Sequence, residues 1–196
     1  HNNIIQQTAD AAAYSNVMQE RKNMNRLLII AAGGTIDAAE YNFETGSVIS
    51  FARPAARHIC ERTMPDAVSR NIELSCPFQK DSDVMTEQDR QEILAICSRS
   101  PCTQIIITHG TGTMIDTGRL LAENLKQKTI VLTGSLPYAH DPVYAAFNMG
   151  NAVTACQLLQ PGVYIATSGE IVSLDKEVEK VKSGEVTYFA QRSNAM

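Results

Sequence analysis

The sequence predicts an α/β fold, a doubly wound and mostly parallel sheet with helices on both faces, of the flavodoxin-like type. Three observations carry that prediction. Apolar runs of five or six residues alternate with helical stretches of 10–16 residues, which is the pattern of repeated β-α-β units. Those runs are apolar throughout, as strands buried on both faces must be. Four of them end in small polar residues.

Taken in order, Leu27–Ala32 is the first buried strand, stopped by Gly33-Gly34. Pro54–Thr63 is predicted as a helix with proline in its first turn. Asn71–Ser75 is a weaker alternating strand. Thr86–Arg99 is a helix capped by Thr86, with Asp89 three residues on and Ile93, Leu94, Ile96 and Cys97 along one face. Gln104–Thr108 is a strand, Thr113 opens a helix through Leu125, and Thr129–Thr133 is a strand. Tyr144–Leu159 is a helix and Val163–Thr167 a further strand.

Residues 24–192 read as one such domain. The segment 1–23 reads as an extension of unknown role whose composition allows a helix around Ala9–Arg21, and 193–196 as a tag remnant.

Composition narrows the function. The chain has 196 residues, 44% of them hydrophobic and 19% charged, the profile of an ordinary globular protein. With 21 acidic and 17 basic side chains it lacks the basic surplus that nucleic acid or an anionic membrane requires. Its longest apolar run, Leu27–Ala32, falls far short of the roughly 20 residues that span a bilayer. The five cysteines have no C-x-x-C spacing, which points to free thiols and a cytoplasmic setting. Histidines are too few and too scattered for a zinc site, and no phosphate-loop or dinucleotide glycine pattern is present, so no cofactor is expected.

The four strand ends are Gly33-Gly34-Thr35, Thr108-His109-Gly110-Thr111, Thr133-Gly134-Ser135 and Thr167-Ser168-Gly169. In an open parallel sheet they share the carboxyl edge, where such folds bind ligands. One such turn is ordinary turn chemistry; four on one edge indicate a site. Thr35 follows its glycines where a nucleophile would be exposed, yet a threonine hydroxyl needs a base to become reactive. The run Thr108–Met114 leads three threonines into a helix start, which suits an anionic group or a capping threonine equally. His109 alone reads as a hydrogen-bonded turn residue rather than a base.

The pair Gly33-Gly34-Thr35-Ile36-Asp37 and Thr108-His109-Gly110-Thr111-Gly112-Thr113-Met114 resembles the two signature loops of the bacterial-type L-asparaginases. Lys80-Asp81-Ser82, Thr133-Gly134-Ser135, Asn148–Val153 and Gln157–Ile165 resemble the same family, over about Met24–Phe189. Most of its members carry a second domain; this chain is similar to the short-chain asparaginases, which have the nucleophile-bearing domain alone.

The resemblance implies a small-molecule, asparagine-like amide as substrate, a homodimer or higher homo-oligomer, and a threonine acyl-enzyme. It implies Thr35 as nucleophile and Thr111 with Lys180 as the second catalytic group. Tyr41 stands where a helping tyrosine occurs, on a mobile loop, although ordinary loop packing fits it as well. Asp81 and Ser82 match the segment holding the substrate's α-carboxylate, and Gly34, Gly110 and Gly112 lie in the binding loops. Without the family register, Lys180 would read as a solvated residue of a charged segment.

One departure bears on activity. The family loop reads Gly-Thr-Asp-Thr, its aspartate gripping the substrate's α-amino group, whereas residue 112 here is glycine. A second lies at His140-Asp141-Pro142, where the family has Ser-Asp before Ala. A weakened hydrolase is therefore expected. The alternatives are an inactive domain binding an amino-acid-like ligand, and a flavodoxin-like phosphate-binding module. A carboxylate from Asp83, Asp116 or Asp141 is a further option for the lost contact.

Overall fold

The computed structural model describes residues 26–64, 71–183 and 186–192. The helix expected around Ala9–Arg21 and the tag remnant expected at 193–196 lie outside them.

The central sheet has six strands in the order β4-β1-β5-β6-β7-β8, with β1 Leu27–Ala31, β4 Ile72–Ser75, β5 Gln104–Thr108, β6 Thr129–Thr133, β7 Gly162–Thr167 and β8 Glu170–Ser173. All pairings are parallel except β7 with β8. The α-helices among the described residues are α1 Ala55–Thr63, α2 Glu87–Arg99, α3 Met114–Asn124 and α4 Pro142–Leu158.

Strand alternation splits the core in two. Leu28 and Ile30 join Ile105, Ile107, Ile93, Cys97 and Leu121 under α2 and α3. Leu27 and Ile29 join Ile106, Val131, Ile59, Met149 and Val153 under α1 and α4. Both faces of β1 are therefore buried, which is why its sequence is apolar without alternation. Each fully buried isoleucine stabilises the fold by about 1.5–3 kcal/mol through area removed from water.

The helix starts are set locally. Thr86 and Asp89 form the expected capping box of α2. Helix α4 begins two residues earlier than predicted, because Asp141 accepts from the Tyr144 N–H and Pro142 fits the first turn. Helix α1 has no cap of its own, and the Asp37 carboxylate accepts from the Ala55 N–H at 2.7 Å. Thr113 stands at the N-terminus of α3 but does not cap it; its hydroxyl donates to the Ser82 carbonyl at 2.9 Å.

Two antiparallel hairpins flank the sheet, β2 Ala38–Asn42 with β3 Ser47–Phe51, and β9 Val178–Ser183 with β10 Val186–Gln191. The first corrects the expected mobile loop around Tyr41. Its turn is closed by Asn42, whose side chain accepts from the Glu44 and Thr45 N–H groups. Tyr41 consequently sits on a paired strand.

Candidate active site

The parallel pairing brings the carboxyl ends of β1, β5, β6 and β7 to one edge. A cavity of about 100 Å³ lies there, lined by Thr35, Tyr41, His109, Gly110, Thr111, Gly134, Ser135, Leu136, Tyr144 and Thr187. It is well below the roughly 300–1,000 Å³ of drug-sized pockets, so it fits a small molecule of amino-acid size. Thr35 opens a short 3-10 turn, Thr35–Asp37, directly after β1. Thr111 lies in the turn between β5 and α3.

Backbone contact holds the two loops together. Gly34, with φ of 79°, packs so closely against residues 109 and 110 that a β-carbon on it would stand 2.6 Å from the His109 carbonyl carbon. Its N–H donates to the Lys80 carbonyl, and the Lys80 N–H to the Ala32 carbonyl. The loop after β4 thereby clamps the loop after β1. Lys80 is itself held by both oxygens of Asp89, at 2.7 and 2.8 Å.

His109 is scaffold, as its sequence setting indicates. It is fully buried, with Nδ1 2.7 Å from the Gly110 carbonyl and Nε2 2.8 Å from the Thr117 hydroxyl. A carbonyl can only accept, so Nδ1 carries the proton and Nε2 accepts from Thr117. Burial lowers its pKa to about 4, which keeps the ring neutral and unfit to lose or gain a proton in a reaction at neutral pH.

The far wall is built by Tyr144 and Thr187, which the sequence analysis did not assign to the site, and is held by Ser168, from the fourth strand end, and by Asn148. Ser168, with φ of 56°, donates to the Thr187 carbonyl at 3.1 Å and accepts from the Tyr144 hydroxyl at 2.7 Å. Asn148, buried in apolar α4, donates to the Gly134 carbonyl and accepts from the Ser168 N–H, both at 2.8 Å. An asparagine inside an apolar helix was the available signal, because a buried amide must be hydrogen-bonded. The hydroxyls of Thr108, Ser135 and Thr167, on the same edge, have no hydrogen-bond partner among the described residues.

Of the sequence-predicted residues, Thr35, Tyr41, Gly110 and Thr111 line this cavity. Burial pushes the Tyr41 phenol up, a hydrogen bond with Thr35 pulls the other way, and the charges of Asp81 and Asp83 add to the rise. Gly34, Asp81, Ser82 and Gly112 do not line the cavity, but Gly34 and Ser82 pack against Gly110, which does. Ser82 is buried and its hydroxyl accepts from the Gly112 N–H at 3.1 Å. Asp81 accepts from the Val48 N–H, tying the β2–β3 hairpin to the site. Lys180 is not brought in: it is exposed on β9, paired in register with buried Phe189.

Among the described residues no group of three or more His, Cys, Asp or Glu side chains is placed to hold a metal ion. Nor is any helix among them long and apolar enough to cross a membrane.

Comparison with solved structures finds the same architecture. The thermostable L-asparaginase from Thermococcus kodakarensis superposes with a TM-score of 0.68 at 26% identity, over 85% of this chain and 51% of that one. A probable cytoplasmic L-asparaginase from Campylobacter jejuni gives 0.66 at 23% identity, over 86% and 53%. L-asparaginase I from Vibrio cholerae O1 biovar eltor gives 0.66 at 20%, over 85% and 51%. The chain thus spans about half the length of each. A search of curated proteins found no match. The family model for the asparaginase N-terminal domain matches residues 26–195, a span that takes in both threonine loops. By that match the chain belongs to the asparaginase family through its N-terminal domain.

Proposed function

We propose that this protein is an amidohydrolase of the L-asparaginase type, hydrolysing the side-chain amide of asparagine to aspartate and ammonia. The observation that carries this reading is that Thr35 and Thr111, far apart in sequence, line one cavity of amino-acid size.

In the first step the Thr35 oxygen bonds to the amide carbon, its proton passes to the departing nitrogen, and ammonia leaves an aspartyl ester on Thr35. Water then adds to that ester, and breaking its C–O bond frees aspartate and restores the hydroxyl. Tyr41, a protonated phenol on the same cavity wall, is the group assigned to orient the Thr35 hydroxyl. Thr111, on the cavity wall, is the proton-transfer group of this reading, and Lys180, exposed on β9, is its partner by the family resemblance alone. Ser82 spends its lone pair on Gly112, and its hydroxyl proton is the donor assigned to the substrate's α-carboxylate, with Asp81 holding that loop in place.

The exposure of Lys180 favours a second reading, an amino-acid-binding domain without turnover. Ammonia release from L-asparagine, abolished in Thr35→Ala, supports hydrolysis. Calorimetric binding of L-aspartate without any ammonia release supports the binding domain, and a response to phosphate or flavin mononucleotide alone supports neither.

The same reading includes a homo-oligomer and a cytoplasmic setting. Val143 and Phe147, one helical turn apart on α4, are both exposed, an apolar strip suited to a second copy of the chain. All five cysteines are free, as in a reducing compartment. Sedimentation of wild type against Phe147→Glu tests the assembly.

A further inference from the structure

Glycine at 112 is not required by the backbone. Positive φ occurs at Gly33, Gly34, Gly46 and Gly169, but not at Gly112, so its conformation is open to any residue. What excludes a side chain is Asp83. A β-carbon built on Gly112 overlaps the Asp83 Oδ1 atom, stands 3.2 Å from its Cγ, and lies 2.7 Å from the Ser82 hydroxyl oxygen. The Asp83 carboxylate therefore occupies the volume that a side chain at 112 would fill, in the turn that carries Thr111.

That carboxylate is also chemically unspent. Its neighbour Asp81 is engaged by the Val48 and Asp83 N–H groups. The Asp83 side chain forms no hydrogen bond or ion pair among the described residues, and the residue is exposed. Its charge still reaches the Tyr41 phenol on the cavity wall. A free anion packed against the turn that carries Thr111, its charge felt by Tyr41 on the cavity wall, selects a cationic group, and an amino-acid amide offers one, its α-ammonium.

We propose that Asp83 is a specificity-determining residue: its carboxylate, admitted by the absent side chain of Gly112, receives the α-ammonium of the substrate. This rests on the amidohydrolase reading above. Gly112→Asp does not repair a defect; it drives two carboxylates into one place. The residues act as a reciprocal pair, in which a carboxylate at either position requires a small residue at the other.

The test compares L-asparagine with succinamic acid, the same skeleton without the amino group, using kcat/KM of the full chain. In Asp83→Asn, which preserves shape and removes charge, the preference for asparagine should fall about 10–100-fold, mostly through KM. Gly112→Asp alone should lose asparagine turnover, and Asp83→Gly/Gly112→Asp should regain the preference. An unchanged preference in Asp83→Asn, or a double variant no better than Gly112→Asp, overturns the proposal. If wild type releases ammonia from neither compound, the hydrolase reading fails separately, and calorimetry decides on Asp83 with L-aspartate against succinate. A wild-type preference for L-aspartate that vanishes in Asp83→Asn upholds the assignment. Equal binding, or binding of neither, overturns it.

Discussion

Gly34 lies backbone to backbone against Gly110, so a β-carbon on Gly34 would stand 2.9 Å from the Gly110 Cα. No side chain intervenes between the loop that presents Thr35 and the loop that presents Thr111. Their separation is therefore set by main-chain contact rather than by adaptable packing. Gly34→Ala both forces a left-handed residue and pushes the loops apart. It should cost about 2–4 kcal/mol in stability, read from denaturant unfolding, and abolish ammonia release. A variant as stable and active as wild type would show that the contact is dispensable.

His109 and Asp37 oppose each other in acid. Burial lowers the His109 pKa from 6.5 to about 4, so in that range the unfolded chain binds more protons. Stability from the neutral ring is full above pH 6.5 and lost as pH falls toward 4. Burial raises the Asp37 carboxyl from 3.8 to about 6, so there the native chain binds more protons. That contribution is present below pH 3.8 and lost as pH rises through 6. Each amounts to about 3 kcal/mol, and the two offset one another. Asp37→Asn, which keeps an acceptor for the Ala55 N–H, should unmask His109: its unfolding midpoint falls from pH 6.5 to 4 more steeply than that of wild type. Parallel pH curves for the two proteins would contradict this.

Asp89 serves two structures at once, the capping box of α2 and the ion pair with Lys80. Asp89→Ala should cost about 2–3 kcal/mol, about 1 from the cap and the rest from the half-exposed pair. Because Lys80 clamps the Gly33-Gly34 turn through its backbone, KM should rise as well. Asp89→Asn, which retains a cap, should recover part of the stability. Identical unfolding of both variants would remove the cap from the explanation, and an Asp89→Asn protein as stable as wild type would remove the ion pair.

Lys180 offers a sharp kinetic test because it is exposed. Lys180→Met should leave the unfolding midpoint within about 0.5 kcal/mol of wild type. If Lys180 moves protons for Thr111, kcat should drop about 100-fold or more, whereas exposed Lys176→Met should not change it. Equal rates in the two variants would remove Lys180 from the mechanism.

The central sheet was legible because each of its apolar strands is buried on both faces, and burial writes an unbroken Leu/Ile/Val run. The hairpins were not. Strand β9, Val178–Ser183, has a single buried side chain, Val178, so its sequence reads as a charged surface stretch. Strand β2 exposes Ala39 and Glu40 and carries an irregular register, which erases alternation. Within the site, Thr35 and Thr111 were legible from glycine-flanked strand ends. Ser168 was legible only as part of a strand end, and Tyr144 and Asn148 were not assigned, because their roles depend on contacts between α4, β7 and β10 that no local spacing encodes. The relation of Asp83 to Gly112, 29 positions apart, was half legible: the sequence offers Asp83, Asp116 and Asp141 alike for the lost contact, and only the fold shows which carboxylate lies beside Gly112.

The most direct measurement is acid-quenched peptide mapping by mass spectrometry after brief mixing with L-asparagine. An aspartyl ester on the peptide that carries Thr35, absent from Thr35→Ala, is the expected result. An ester on any other residue, or a Thr35→Ala protein that releases ammonia at the wild-type rate, would contradict the assignment of Thr35 as the nucleophile of a shared threonine cavity.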